Sequence, residues 1–181
     1  MTAGHEQKPR LILARDGVIR VDNSPVMDTS LTIRHVVDSD FAAWLPLWDG
    51  YNAFYGRQGP TALPREITDQ TWRRFLDPSE PVFALIAGDA RGAVGITHYL
   101  FHRSTTRIEN VCYLQDLFTS PASRGQGIGR RLIEAVYDQA RAAGSVRVYW
   151  QTQTTNAAGR QLYDRVAAHL GFIVYSHDVQ R

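Results

Sequence analysis

The stretch NVCYLQDLFTSPASRGQGIGRRLIEAVYDQARAAGSVRVYWQT, residues 110–152, decides the reading of the chain. Its first part, NVCYLQDLF, has the Val, Tyr and Phe content of a strand, and Pro121 ends it. Ile128, Leu132, Val136 and Ala140 then recur at four-residue steps, with Arg130, Arg131, Glu134, Asp138 and Arg141 between them. That spacing predicts an amphipathic helix, which Gly144 stops. SVRVYWQT returns to a strand, with Val146, Val148 and Trp150 on one face. Strand, glycine loop, helix and strand in this order form a crossover, and crossovers join parallel neighbours of one sheet. Residues 113–119 are therefore expected parallel to residues 146–151, with the helix from Gly127 crossing between them.

The loop, Arg124-Gly125-Gln126-Gly127-Ile128-Gly129-Arg130, has glycines at alternate positions immediately before the helix. Such a loop turns backbone N–H groups inward and exposes a helix N-terminus, a natural seat for phosphate. Taken alone, the three glycines also fit a tight strand-to-helix connection. The dinucleotide-binding fingerprint is excluded, because Arg130 stands where its third glycine belongs and no acid ends the following strand to hold a ribose. The GxxxxGK[ST] phosphate loop needs a lysine, and Lys8 is the only lysine in the chain.

Outward from this unit, LTIRHV reads as the first strand of a domain, and Asp38, Ser39 and Asp40 are candidate N-caps for a helix through FAAWLPLWDGYNAFY that Pro46 breaks or kinks. Pro64 opens a second helix through TWRRFL, and Asp77-Pro78 closes it. VFALIAG and AVGITHYLFHR read as strands joined by a turn at Gly88 to Gly92. A last helix is expected from Asn156 to Leu170, stopped by Gly171, with FIVYS as a final strand. Ahead of all this, RLILARDGVIRV flanks Asp16-Gly17 with alternating apolar positions, a two-residue hairpin signal. A phosphatase-type DxDG motif fails here, since its nucleophilic aspartate would fall at Ala14.

Composition bounds the function. A length of 181 residues holds one ordinary domain, and 44% hydrophobic with 21% charged residues is globular. A net charge of +2 gives no basic footprint for nucleic acid. With lysine confined to position 8, a Schiff base in the folded core is excluded. The single cysteine, Cys112, excludes an intramolecular disulfide and any CxxC motif, which fits a reducing compartment. Apolar runs fall short of a signal peptide or a membrane helix. The chain is expected to be cytoplasmic, with no nucleic-acid and no membrane partner.

The run CYLQDLFTSPASRGQGIGRRLIEAV, followed by VYWQTQTTNAAGRQLYDRVAAHLGFIVY, resembles the GNAT acetyltransferase superfamily, whose signature loop is Arg/Gln-x-x-Gly-x-Gly/Ala. The resemblance covers residues 31–178 and is nearest to the group of polyamine, fungal histone and D-amino-acid acetyltransferases, which share a YLEDL-like strand. Here that strand reads Tyr113-Leu114-Gln115-Asp116-Leu117, so Gln115, which cannot accept a proton, replaces the usual Glu. The resemblance implies an α/β (α+β) fold, a mixed central sheet flanked by helices, as a single domain over residues 31–181. Residues 1–30 would be an N-terminal extension. It also implies acetyl-CoA as co-substrate, no metal, and a homodimer.

By the same resemblance, pantetheine lies along Leu117, Phe118 and Thr119, and pyrophosphate rests on N–H groups from Gln126 to Arg130 in the loop of Arg124, Gly125, Gln126, Gly127, Ile128, Gly129 and Arg130. Asn156 caps its helix, bonds pantetheine, or does both. Acetyl transfer is direct attack in a ternary complex, so no enzyme nucleophile is required and Cys112 reads as a structural thiol. Three tasks remain: to take a proton from the ammonium, to stabilise an oxyanion, and to protonate the departing thiolate. Tyr163, seven residues after Asn156, matches the family's general acid. Asp116, Glu109 and His98 are the candidate bases, working through water, with Asp116 nearest in sequence to the thioester. His98 and His102, four apart on one strand, lack a third ligand nearby for a metal. Trp48, Tyr51, Phe54 and Tyr55 belong to the segment that shapes the acceptor pocket in relatives.

The leading expectation is an N-acetyltransferase for a primary amine: a small amine, a polyamine or an amino acid. A catalytically weak acyl-CoA-binding sensor and a protein lysine acetyltransferase are the alternatives, since one fold serves many substrates.

Overall fold

The computed structural model describes residues 10–13, 19–22 and 31–179. Arg10–Leu13 (β1) and Ile19–Asp22 (β2) pair antiparallel, with Arg10 opposite Asp22, as the hairpin signal predicts. The Asp16-Gly17 turn lies outside the described residues.

A second sheet holds Thr32–His35 (β3), Val82–Asp89 (β4), Gly92–His102 (β5), Val111–Thr119 (β6) and Val148–Tyr149 (β7), side by side in that order. Every pairing is antiparallel except β6 with β7. The central strands read as continuous apolar runs because both faces are covered. On one face Ala84, Ile86 and Ile96 meet Trp44, Leu47, Trp48 and Tyr51 of α1 (Phe41–Phe54) and Trp72 of α2 (Arg65–Leu76). On the other, Leu85, Ala87, Tyr99 and Cys112 meet Ile128, Leu132, Ile133, Val136 and Ala140 of α3 (Ile128–Ala142), with Leu162 and Tyr163 of α4 (Ala157–Val166) packed beside them. The expected four-step stripe is thus the buried face of α3. Its end is a Schellman turn: Gly144 has φ +70°, Ser145 N–H donates to Ala140 O at 2.8 Å and Gly144 N–H to Arg141 O at 3.0 Å.

Several expectations are corrected. Helix α1 runs on past Pro46. Asp38 to Asp40 form a separate 3-10 turn, where the Asp40 carboxylate accepts the Val37 N–H at 2.8 Å and pairs with Arg34 at 2.6 and 2.8 Å, so it fastens the turn rather than capping α1. The parallel pairing expected over 113–119 and 146–151 is confined to Cys112 opposite Val148 and Tyr113 opposite Tyr149. Beyond Tyr113 a bulge bends β6, and bulged strands twist away from their neighbours. Val148 and Trp150 pack on the core while Val146 is exposed. The last helix stops at Val166, where Ala167 turns extended, instead of reaching Leu170. FIVYS forms no strand, and Phe172, Ile173, Val174 and Tyr175 are exposed. Strand propensity acts through a partner edge, and among the described residues no strand pairs with this segment. Among those residues, too, no helix is long and apolar enough to cross a membrane.

Candidate active site

The bulge in β6 organises the site. His98 of β5 stands opposite Asp116 and Tyr99 opposite Leu114, which leaves Gln115 as the extra residue. One extra residue reverses the side-chain alternation of a strand. Cys112 and Leu114 before the bulge therefore face α3, whereas Asp116 and Phe118 after it join Tyr113 on the face toward α1. Without that reversal Asp116 would point into the apolar α3 core. Gln115 itself is exposed.

The buried Asp116 carboxylate is held from two sides. Trp44 Nε1–H donates to His98 Nε2 at 2.9 Å, and an indole nitrogen can only donate. His98 is thereby fixed with its proton on Nδ1, which donates to Asp116 Oδ2 at 2.9 Å. His98 is 2% exposed, with both ring nitrogens engaged. It orients Asp116 and is removed from the candidate bases. On the other side the Tyr51 hydroxyl faces Asp116; burial, then that negative charge, hold its pKa far above the usual phenol value. Burial and Asp116 likewise raise Tyr55 and Tyr113, with Tyr55 also beside Thr152. Of the aromatic segment, Trp48 and Tyr51 are buried and Phe54 points to solvent.

From the opposite side α4 brings in Tyr163. Asn156 caps this helix: its Oδ1 accepts the Gly159 N–H at 3.0 Å and its Nδ2 donates to Thr152 at 2.9 Å. Tyr163 packs edge-on against Trp150, with ring centroids 5.5 Å apart. Its pKa is pushed up to about 12, by burial and then by Tyr55 alongside. Its hydroxyl thus holds a proton at neutral pH in a cluster whose far end is Asp116. Cys112 lies in the α3 core, its thiol pushed up to about 12 by burial, as fits a structural role.

Between these groups β6 has an open edge. β5 covers one side through Thr119, while β7 leaves after Tyr113, so among the described residues the backbone of 114–119 has no strand on that side. Leu117 and the Phe118 side chain pack into the cores, which leaves main chain facing the gap. The edge leads into the glycine loop. Gly127 caps α3 with φ +78°, a conformation that an added Cβ would strain though space is open around it. The first intrahelical acceptor, Gly127 O, is taken by Arg131 N–H at 3.1 Å, so the N–H groups of Ile128, Gly129 and Arg130 point out of the helix end. No acidic side chain occupies this first turn. Gly129 answers to packing instead: a Cβ there would lie 3.2 Å from Leu162 of α4.

The loop arginines divide. Arg124 stays by the loop, its Nε donating to Thr119 O at 3.3 Å. Arg130 is paired with Glu134 at 2.7 Å, and Arg131 reaches Leu31 O at 2.8 Å, away from the helix end. Sequence reading missed Arg91, which the β4–β5 turn brings to Ser123 at 3.3 Å and Gln126 at 3.5 Å. It also missed Thr152 and Arg57, which no motif marks. Glu109 lies exposed in the loop before β6, and His102 is bonded to the Tyr149 hydroxyl at 2.9 Å rather than sharing a site with His98.

The model of the Acetyltransferase (GNAT) family matches residues 44–168. The chain belongs to this family. It is an acetyltransferase, and enzymes of its family use acetyl-CoA. It is 32% identical over 155 residues to the D-amino-acid N-acetyltransferase HPA3 of Saccharomyces cerevisiae, covering 84% of this chain and 94% of the yeast protein. An uncharacterized N-acetyltransferase of Bacillus subtilis, YhfO, is 31% identical over 151 residues, 82% of this chain and 98% of that one. The fold is that of solved acetyltransferases. AAC(6')-Iy, in complex with a CoA bisubstrate analogue, superposes with a TM-score of 0.71 at 15% identity, covering 83% of this chain and 99% of that one. A ribosomal-protein-alanine N-acetyltransferase of Brucella melitensis gives 0.66 at 18%, covering 83% and 100%.

Proposed function

We propose that this acetyltransferase moves the acetyl group of acetyl-CoA to a small primary amine, a polyamine or an amino acid, by direct attack in a ternary complex. The observation that carries the reading is the open edge of β6, which runs from beside Asp116 to a helix end with three free N–H groups. A diphosphate fits that helix end by its N–H groups and dipole, with Gln126, Gly127, Arg124 and Gly125 completing the loop. The main chain of Leu117, Phe118 and Thr119 offers strand-like bonds to the amides of a pantetheine arm, and Asn156 fixes the facing helix.

Acetyl-CoA supplies an activated thioester. The amine nitrogen forms the new amide bond as the carbon–sulfur bond breaks, the thiolate takes the proton of Tyr163, and the second proton that the nitrogen sheds on becoming an amide returns through water to the Tyr163 phenolate. The ammonium proton passes through water to Asp116, which is buried beside Tyr51. Gln115 is the extra residue of the bulge, without a partner in the β5 register, and its backbone is assigned here to meet the charge that develops on the carbonyl. No protein nucleophile or metal is needed. The reading also takes the chain as cytoplasmic, and as a homodimer on the ground of the exposed apolar run at 172–175, a surface that a second copy would cover.

A screen of amines with acetyl-CoA, following thiol release, tests the reading. Release that depends on an acceptor supports it. Tight binding of acetyl-CoA with no acceptor turned over would instead favour an acyl-CoA sensor, the reading that Gln115 in place of a basic Glu favours.

A further inference from the structure

Arg57 is a cation that acetyl transfer leaves without a task. We propose that its guanidinium is the subsite for the acceptor's carboxylate, so that the acceptor is an α-amino acid rather than a plain amine or a polyamine. This rests on the reading of the site given above and names its substrate class.

Arg57 follows the end of α1 and is fixed by one buried side chain. Its backbone N–H donates to Asn52 O at 2.9 Å and its Nε to Asn52 Oδ1 at 2.7 Å. Asn52 is 4% exposed, and its Nδ2 donates to Trp48 O at 2.9 Å, which determines which end of the amide faces Arg57. With Nε engaged, both terminal nitrogens of the guanidinium have no hydrogen-bond or ion-pair partner among the described residues. The fork is thus held in place with its two-pronged end available, half-buried, 5.7 Å from the ring centre of Tyr51 and 5.4 Å from that of Tyr55.

Those two phenols also lie beside Asp116. One pair of rings therefore has a carboxylate at its hydroxyls and a guanidinium over its faces. The ligand complementary to that arrangement is a zwitterion, its ammonium on the Asp116 side and its carboxylate on Arg57. Guanidinium and carboxylate match in two parallel hydrogen bonds, a geometry that lysine does not offer. A second ammonium, as in a polyamine, would meet like charge at Arg57 and be rejected.

The test compares α-amino acids of both hands (alanine, methionine, phenylalanine, glutamate) with their amides and with putrescine, by thiol release from acetyl-CoA. Wild type is expected to prefer the acids. Arg57→Leu, which keeps an apolar side chain on the two rings, should lower kcat/KM for the acids about 10- to 100-fold, through KM, and leave the amides within about twofold. Arg57→Lys should fall between, since it keeps charge and loses the fork. Equal use of acids and amides by wild type, or equal loss of both in Arg57→Leu, would overturn the subsite. Should wild type acetylate none of them, calorimetry on the CoA-loaded protein decides. Amino-acid binding that Arg57→Leu abolishes keeps the subsite and removes the acetyl-transfer reading, whereas no binding by wild type overturns the subsite.

Discussion

A phenol whose pKa is pushed up to about 12 keeps its proton wherever acetyl transfer to an amine is measured. Tyr163 is then always in the donating form, and the pH dependence of the reaction comes from the proton that leaves the acceptor. The rate is accordingly expected to rise with pH to a plateau, with no falling limb at the ordinary tyrosine value of about 10. A falling limb there that vanishes in Tyr163→Phe would contradict this account of burial. Sequence reading singled out Tyr163 by its spacing to Asn156 and Asp116 as the acid nearest the expected thioester, and the fold brings both beside Tyr55. The direction in which Asp116 points was not legible, because it follows from the bulge at Gln115, and a bulge is set by pairing across β5. His98 looked like a candidate base for the same reason: only the fold shows Trp44 occupying its Nε2.

Among the elements, the crossover was read correctly because a 3.6-residue period over fifteen positions and a run of glycines are strong local signals. Gly127→Asp should weaken acetyl-CoA binding by at least about tenfold, since it adds a charge at an anion site and a side chain at φ +78°. Calorimetry with unchanged affinity in the folded variant would remove the loop from the site. The junction of β3 with α1 carries a second prediction. Hydrogen bonds from Arg34, then from the Val37 N–H, hold the Asp40 pKa below the usual carboxylate value. Its contribution to stability is therefore present above the unfolded-state pKa of about 4 and lost as pH falls through the lower folded value. Asp40→Ala should cost about 1 to 2 kcal/mol at neutral pH in a denaturant titration, with the difference shrinking in acid. What local sequence could not show is where a strand finds its partner. Val146 to Trp150 has strand composition yet pairs for only two residues, and FIVYS has it and pairs with nothing among the described residues.

For the whole molecule, two cores lie on opposite faces of one sheet, and the sheet opens where β6 and β7 part. That gap brings α1, β6 and α4 to a common cluster, so Tyr51, Tyr55, Asp116 and Tyr163 meet though they are spread over more than one hundred residues of sequence. Sequence patterning supplied the layers and the glycine loop ahead of α3. The acceptor side, including Arg57, depends on the loop after α1 and carries no periodic signal. The central claim is that this cluster transfers an acetyl group with Tyr163 as the acid. The most direct test is turnover of wild type and Tyr163→Phe on one acceptor at saturating acetyl-CoA, counting thiol and N-acetyl product by mass spectrometry, with product release shown not to limit. The account predicts equal amounts of thiol and acetylated amine from wild type, a rate lower by about 10²- to 10⁴-fold in Tyr163→Phe, and an unchanged acetyl-CoA affinity. Equal rates from the two proteins would contradict it.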